Sequence, residues 1–143
     1  MTIHGLPAHP LLVHAVVVLL PLAALAVVLH VLWPAARRRL GAITPLLGLA
    51  MVVLVPITMH AGTDLAKRFG PNPLIERHEH LAHQLPPWTV ALFVVTVVVW
   101  AWRTPPRWAH AVLAVATVVV ALGVTVTLLR VGDAGARATW GGA

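Results

Sequence analysis

Apolar residues fall in four long blocks along this chain, Leu11 to Trp33, Leu40 to Met59, Leu85 to Trp102 and Ala109 to Leu129, with polar residues gathered between them. Each block approaches or exceeds the roughly 20 residues that a helix, rising about 1.5 Å per residue, needs to cross a hydrocarbon layer about 30 Å thick. The pattern predicts an all-α integral membrane protein. Four transmembrane helices over about residues 11–33, 40–59, 85–102 and 109–129 form one bundle, a single domain over residues 1–143. The third block is the shortest, and Pro86 and Pro87 blur its start. Before it, Leu74, Ile75, Leu81, Ala82 and Leu85 recur at helical spacing among charged residues. This predicts a short interfacial amphipathic helix, about residues 73–85, between helices two and three. His78 joins its apolar face, while Glu76, Arg77, Glu79, His80, His83 and Gln84 fall mainly on the wet side.

Composition agrees with a bilayer environment. Only 10% of the residues are charged and 59% are hydrophobic, against about 25% charged in soluble domains. A sequence pI near 11.9 would suggest nucleic acid in a soluble chain, but here the basic residues sit at the ends of apolar blocks and act as topology signals, so no nucleic-acid partner is expected. Arg37, Arg38 and Arg39 fill the first connection, Arg103 and Arg107 the third, and neither connection contains an acid. The positive-inside rule then places both in the cytoplasm, which leaves both termini outside the plasma membrane. The second connection balances Lys67, Arg68 and Arg77 against Asp64, Glu76 and Glu79. Trp33, Trp88, Trp100, Trp102 and Trp108 lie near the block ends, as an aromatic belt does. The first basic residue is Arg37, so no cleavable leader is expected. With no cysteine, disulfides, thiolate ligands, iron–sulfur clusters and haem attached through cysteine are excluded.

Pro10 suits the first turn of a helix, which puts the start of helix one at His9 or Pro10. Pro21, Pro45 and Pro56 predict kinks, and Gly41, Gly48 and Gly123 predict close helix approaches. No internal repeat supports an inverted-repeat transporter.

Ionisable groups at membrane depth need a partner or a purpose. The candidate set gathers on the outer side: His9 and His14 at the start of helix one, His60 and Asp64 at the end of helix two, His78 on the loop helix, and Asp133 beyond helix four. His60 and Asp64 stand at i, i+4, so a continuous helix would let the carboxylate orient the imidazole. His14, His78 and His60 are the candidate cofactor ligands. His9, His14, Asp64, His78 and Asp133 are the candidate set for a divalent metal ion. Haem b held by two axial histidines, a divalent ion held by imidazole and carboxylate, a proton relay, and plain interfacial histidines bonded to backbone or headgroups all remain open. No HExxH or zinc-finger spacing is present. His30, beside Trp33, and His110, beside Trp108, read as interfacial anchors. His14 and His30 lie 16 residues apart, about 160° around a helix at about 100° per residue, so a straight helix cannot aim both into one core. Arg130 and Asp133, at i, i+3, read as a pair at the helix end. His80, His83, Glu76 and Glu79 read as a solvated face.

The pattern His9-Pro10-Leu11-Leu12-Val13-His14, followed by Ala61-Gly62, Glu76-Arg77-His78 and Arg130-Val131-Gly132-Asp133-Ala134-Gly135-Ala136, resembles a bacterial membrane-protein family, the domain of unknown function 2231, in its actinobacterial form. The resemblance spans nearly the whole chain and implies no settled activity. It implies proximity to respiratory redox chemistry, because some relatives look fused to cytochrome c or Rieske-type modules. His14 and His78 match its motif, and Asp133 stands where other members have histidine in the final glycine motif. The expected function is a small redox or metal/haem-binding membrane subunit with a histidine-rich outer face and a respiratory or redox partner protein. The alternative is a non-catalytic scaffold or pH-responsive module, and either form is compatible with a homo-oligomer. No catalytic residue is assigned.

Overall fold

A computed structural model describes residues 2–3 and 6–141. His4 lies outside the described residues. A two-residue antiparallel pairing of β1 (Thr2–Ile3) with β2 (Leu6–Pro7) precedes six helices: α1 (Ala8–Leu32), α2 (Pro34–Leu40), α3 (Ile43–Ala66), α4 (Pro73–Ala82), α5 (Leu85–Ala101) and α6 (Arg107–Trp140). Four segments, Ala8–Leu32, Ile43–Ala66, Pro73–Ala101 and Arg107–Trp140, are long and apolar enough to cross a membrane. In the third, the charged residues belong to α4 and the unbroken apolar run to α5, so α5 is the span and α4 lies beside the bundle's end.

Helix α1 packs between α3 and α6, and α5 closes the ring between α3 and α6. Sequential spans are thus neighbours in an up-and-down four-helix bundle. Both α1 and α3 run on through internal prolines, Pro21 and Pro56. Pro45 sits in the first turn of α3, where a missing N–H costs nothing. At α5 the two prolines that blur the boundary occupy its first turn, after a connection of only His83 and Gln84. Asn72 caps α4 by accepting a bond from the Leu74 amide at 2.9 Å, and Pro73 supplies the preset first helical residue.

The core is a stripe on each helix. Val16, Leu20, Ala23, Ala24 and Val27 of α1 meet Met51 and Val55 of α3, Leu92 of α5, and Ala121, Val124 and Leu128 of α6. These spacings are helical, and the small residues let backbones approach where no hydrophobic drive separates helix from lipid. Leu22, Leu25, Leu46, Val53, Val94, Val112, Val119 and Leu122 stay exposed on the outside of the ring, which is what a lipid-facing surface requires. Gly48 seats Phe93 and Gly123 seats the Trp88 ring, whereas Gly41 turns the chain with φ of 45° and packs against nothing.

Two helices outrun their apolar blocks. α3 continues to Ala66, placing Gly62 and Asp64 in helix. α6 has 34 residues, about 51 Å at about 1.5 Å each, so its last turns project beyond a layer about 30 Å thick. The projecting part of α6 carries most of the packing of α4. One end of the bundle therefore holds α4, both helix extensions and all four acids, while the other holds α2 and the arginine connections.

Candidate functional site

At the acid-bearing end two histidines from different helices meet. The rings of His9 (α1) and His78 (α4) stand edge to face, centroids 6.3 Å apart and planes at 75°. The phase of α1 brings His9 there. It lies seven residues before Val16, about 20° off the same line at about 100° per residue, so it extends the buried stripe.

Each ring is held by the same device. His9 Nδ1 donates to the Thr58 carbonyl of α3 at 2.9 Å, and His78 Nδ1 donates to the Val131 carbonyl of α6 at 3.0 Å. Four residues beyond each carbonyl stands a glycine beneath the ring. A Cβ on Gly62 would lie 2.8 Å from His9 Cε1, and one on Gly135 would lie 3.1 Å from His78 Cε1. In a helix the carbonyl of residue i points toward residue i+4, where a Cβ would shield it from the side. Glycine leaves that flank open, and an imidazole reaches the carbonyl. Nδ1 is thus the donor in both rings, and neither Nε2 has a protein partner among the described residues. The arrangement ties α1 to α3 and α4 to α6.

His78 lies outside the apolar spans, and its pKa is lowered from the usual 6.5. Burial is the main cause; the His9 ring adds to it, while the Val131 bond and Glu79 act in the other direction. A neutral imidazole with a free Nε2 is the form that coordinates metals. A Glu79 carboxylate oxygen is buried without a partner among the described residues. Glu79 also lines a shallow cleft of about 270 Å³ with Thr63, Lys67, Asn72 and Glu76. A second, apolar cleft of about 450 Å³, edged by Leu19, Leu46 and Ile57, lies along the lipid face. Neither cleft includes His9 or His78.

The other candidates sit apart from the pair. His14 is exposed, its Nδ1 on the Pro10 carbonyl of its own helix at 2.6 Å. It stands two residues from Val16, about 200° around α1, and so faces away from the bundle interior. His60 is 76% exposed, 3.8 Å from Asp64 at the expected i, i+4 spacing, and Asp64 also meets Lys67 at 3.7 Å. Asp133 pairs with Arg137 at 2.9 Å rather than with Arg130, because i, i+4 lets the guanidinium reach back along the exposed face. That bond holds the Asp133 carboxyl below its usual range. His30 differs from the expected anchor role: it is 2% exposed and bonds Thr44 Oγ1 of α3 at 3.2 Å. Among the described residues no three His, Asp or Glu side chains converge as a metal cluster. Gly62, Gly135 and the Thr58 and Val131 carbonyls were absent from the sequence-derived site. Gly62 and Gly135 stand in the sequence pattern quoted above, but nothing in the sequence pairs either with a histidine of another helix.

A search of curated proteins found no match, and neither did a search of solved structures. Residues 5–143 match the family model described as "Predicted membrane protein (DUF2231)", and with nearly its whole length so matched, this four-span chain belongs to that family.

Proposed function

We propose that this protein is a small membrane redox subunit that holds haem b between His9 and His78, at the outer face of the plasma membrane with both termini outside. The observation that carries this reading is the donor set: two imidazoles from separate helices, 6.3 Å apart, each fixed through Nδ1 with Nε2 unengaged. A bond from Nδ1 to a carbonyl is the usual way a protein orients a histidine ligand and fixes its tautomer. Haem iron takes one or two protein ligands, whereas zinc sites take three or four from the chain. The pair suits the former.

Haem bound there would supply one-electron transfer. The chain's own part would be to position His9 on α1 and His78 on α4 and to fix each ring through its Nδ1 bond, with α4 moving outward to admit the group. That helix has no fully buried residue, so it is the element most easily displaced. Topology supports an outer location, since five arginines and no acid mark the opposite end. A redox partner protein would then dock at the end bearing α4. In a second reading the pair is a latch that opens on protonation of His78, favoured by the nearby His9 ring, which helps to hold the His78 pKa down.

The test is the visible spectrum of detergent-purified protein expressed with haem supplementation, oxidised and then dithionite-reduced. Sharp reduced bands are expected in the wild type and in His14→Ala and His60→Ala, and their loss in His9→Ala and His78→Ala. A featureless wild-type spectrum overturns the haem reading. Bands that survive His9→Ala but vanish in His14→Ala overturn the ligand pair.

A further inference from the structure

The opposite end of the bundle carries a separate feature. α2 places Arg37, Arg38 and Arg39 in its last turn, and Arg103 and Arg107 flank the connection from α5 to α6. Arg37 Nη2 donates to the Trp102 carbonyl, the C-cap of α5, at 2.9 Å. This bond clasps the first and third connections together and removes Arg37 from the pool of available cations. Arg38, Arg39, Arg103 and Arg107 all remain exposed. All four acids lie at the other end of the chain's fold, so no carboxylate neutralises them. Around them Trp33, Trp102 and Trp108 are 58%, 43% and 71% exposed, the position that indole takes at the headgroup level.

Like charges gathered on one clasped surface repel unless anions share it, and the surface borders the hydrocarbon layer. We propose that this clasped surface binds the phosphate groups of anionic phospholipids through Arg38, Arg39, Arg103 and Arg107. Guanidinium is suited to the task, because its planar fork donates two bonds to one phosphate. Indole rings beside it pack on the glycerol and upper acyl region. The site depends neither on which leaflet it faces nor on the histidine pair, and its occupant is a membrane lipid rather than a soluble phosphate.

Native mass spectrometry of the full chain, released from nanodiscs of equal phosphatidylglycerol and phosphatidylcholine, tests this. The wild type should retain phosphatidylglycerol selectively. In R38Q/R39Q, which keeps Arg37, Arg103 and Arg107 as topology signals, selectivity should fall about fivefold for each arginine removed. R38K/R39K, which keeps the charges but loses the fork, should fall between the two, which separates charge from misfolding. Equal retention of the two lipids by the wild type, or undiminished selectivity in R38Q/R39Q, would overturn the proposal. Inorganic phosphate that displaces the retained lipid at equimolar concentration would overturn its assignment to a lipid.

Discussion

Gly62→Ala tests the seat of His9 directly. The added Cβ would stand 2.8 Å from Cε1 and 3.0 Å from Nδ1 of the ring, well inside the contact distance of about 3.5–4.0 Å. The ring must move, and its bond to the Thr58 carbonyl at 2.9 Å moves with it. Overpacking costs about 1–3 kcal/mol, and loss of the hydrogen bond about 1 kcal/mol. Alanine returns about 1 kcal/mol through helix propensity, so the net loss is about 2 kcal/mol. Gly132 is the internal control: it lies in α6 with nothing within 4 Å of a built Cβ, so Gly132→Ala should gain up to about 1 kcal/mol. Gly135→Ala, with 3.1 Å to the His78 ring, should fall between them. Reversible unfolding in mixed micelles would measure the series. Gly62→Ala as stable as Gly132→Ala would refute the claim that the glycine exists to seat an imidazole.

Acidification should weaken the fold through His78. Its folded pKa is lowered from 6.5, chiefly by burial, so the unfolded chain binds the proton more readily. The stability is therefore fully present above pH 6.5 and declines as pH falls through that value toward the lower folded pKa; comparing unfolding at pH 7.5 and pH 5 in the wild type and His78→Ala isolates this share. Gly123→Ala should be the most damaging of the glycine changes, because the new Cβ collides with the partly buried Trp88 ring in the α5–α6 packing; a loss of about 3 kcal/mol in micelle unfolding is expected for such overpacking. The bond between His30 and Thr44 should give a coupling of about 1 kcal/mol in a double-mutant cycle of His30→Ala and Thr44→Val. Asp133→Asn should leave stability nearly unchanged, since its bond to Arg137 joins two largely exposed side chains.

The four spans were legible because apolar block length is a one-dimensional property, and a bilayer reads it that way. The loop helix was equally legible from Leu74, Ile75, Leu81 and Ala82, although it ends at Ala82 and hands over to α5 through two residues. The inward side of His78 was legible from its place on the apolar face of the loop helix. Counting from the stripe at Val16, Leu20 and Ala23 sets His9 and His30 toward the core and His14 away from it. Gly48 and Gly123 were read correctly as close-contact sites, and Gly41 was not, since it serves a turn.

Sequence alone determined the class, the span count and the charge asymmetry between the two ends, because each follows from local composition and from the energy of placing a residue in hydrocarbon. Only the tertiary structure decided which histidines meet. That choice depends on the rotation of α1 against α3 and of α4 against α6, and on the two points, Gly62 and Gly135, where a missing Cβ opens a backbone carbonyl to a ring from another helix. Contacts between distant helices are set by the packing of whole stripes, so the partner of a single histidine is a property of the bundle.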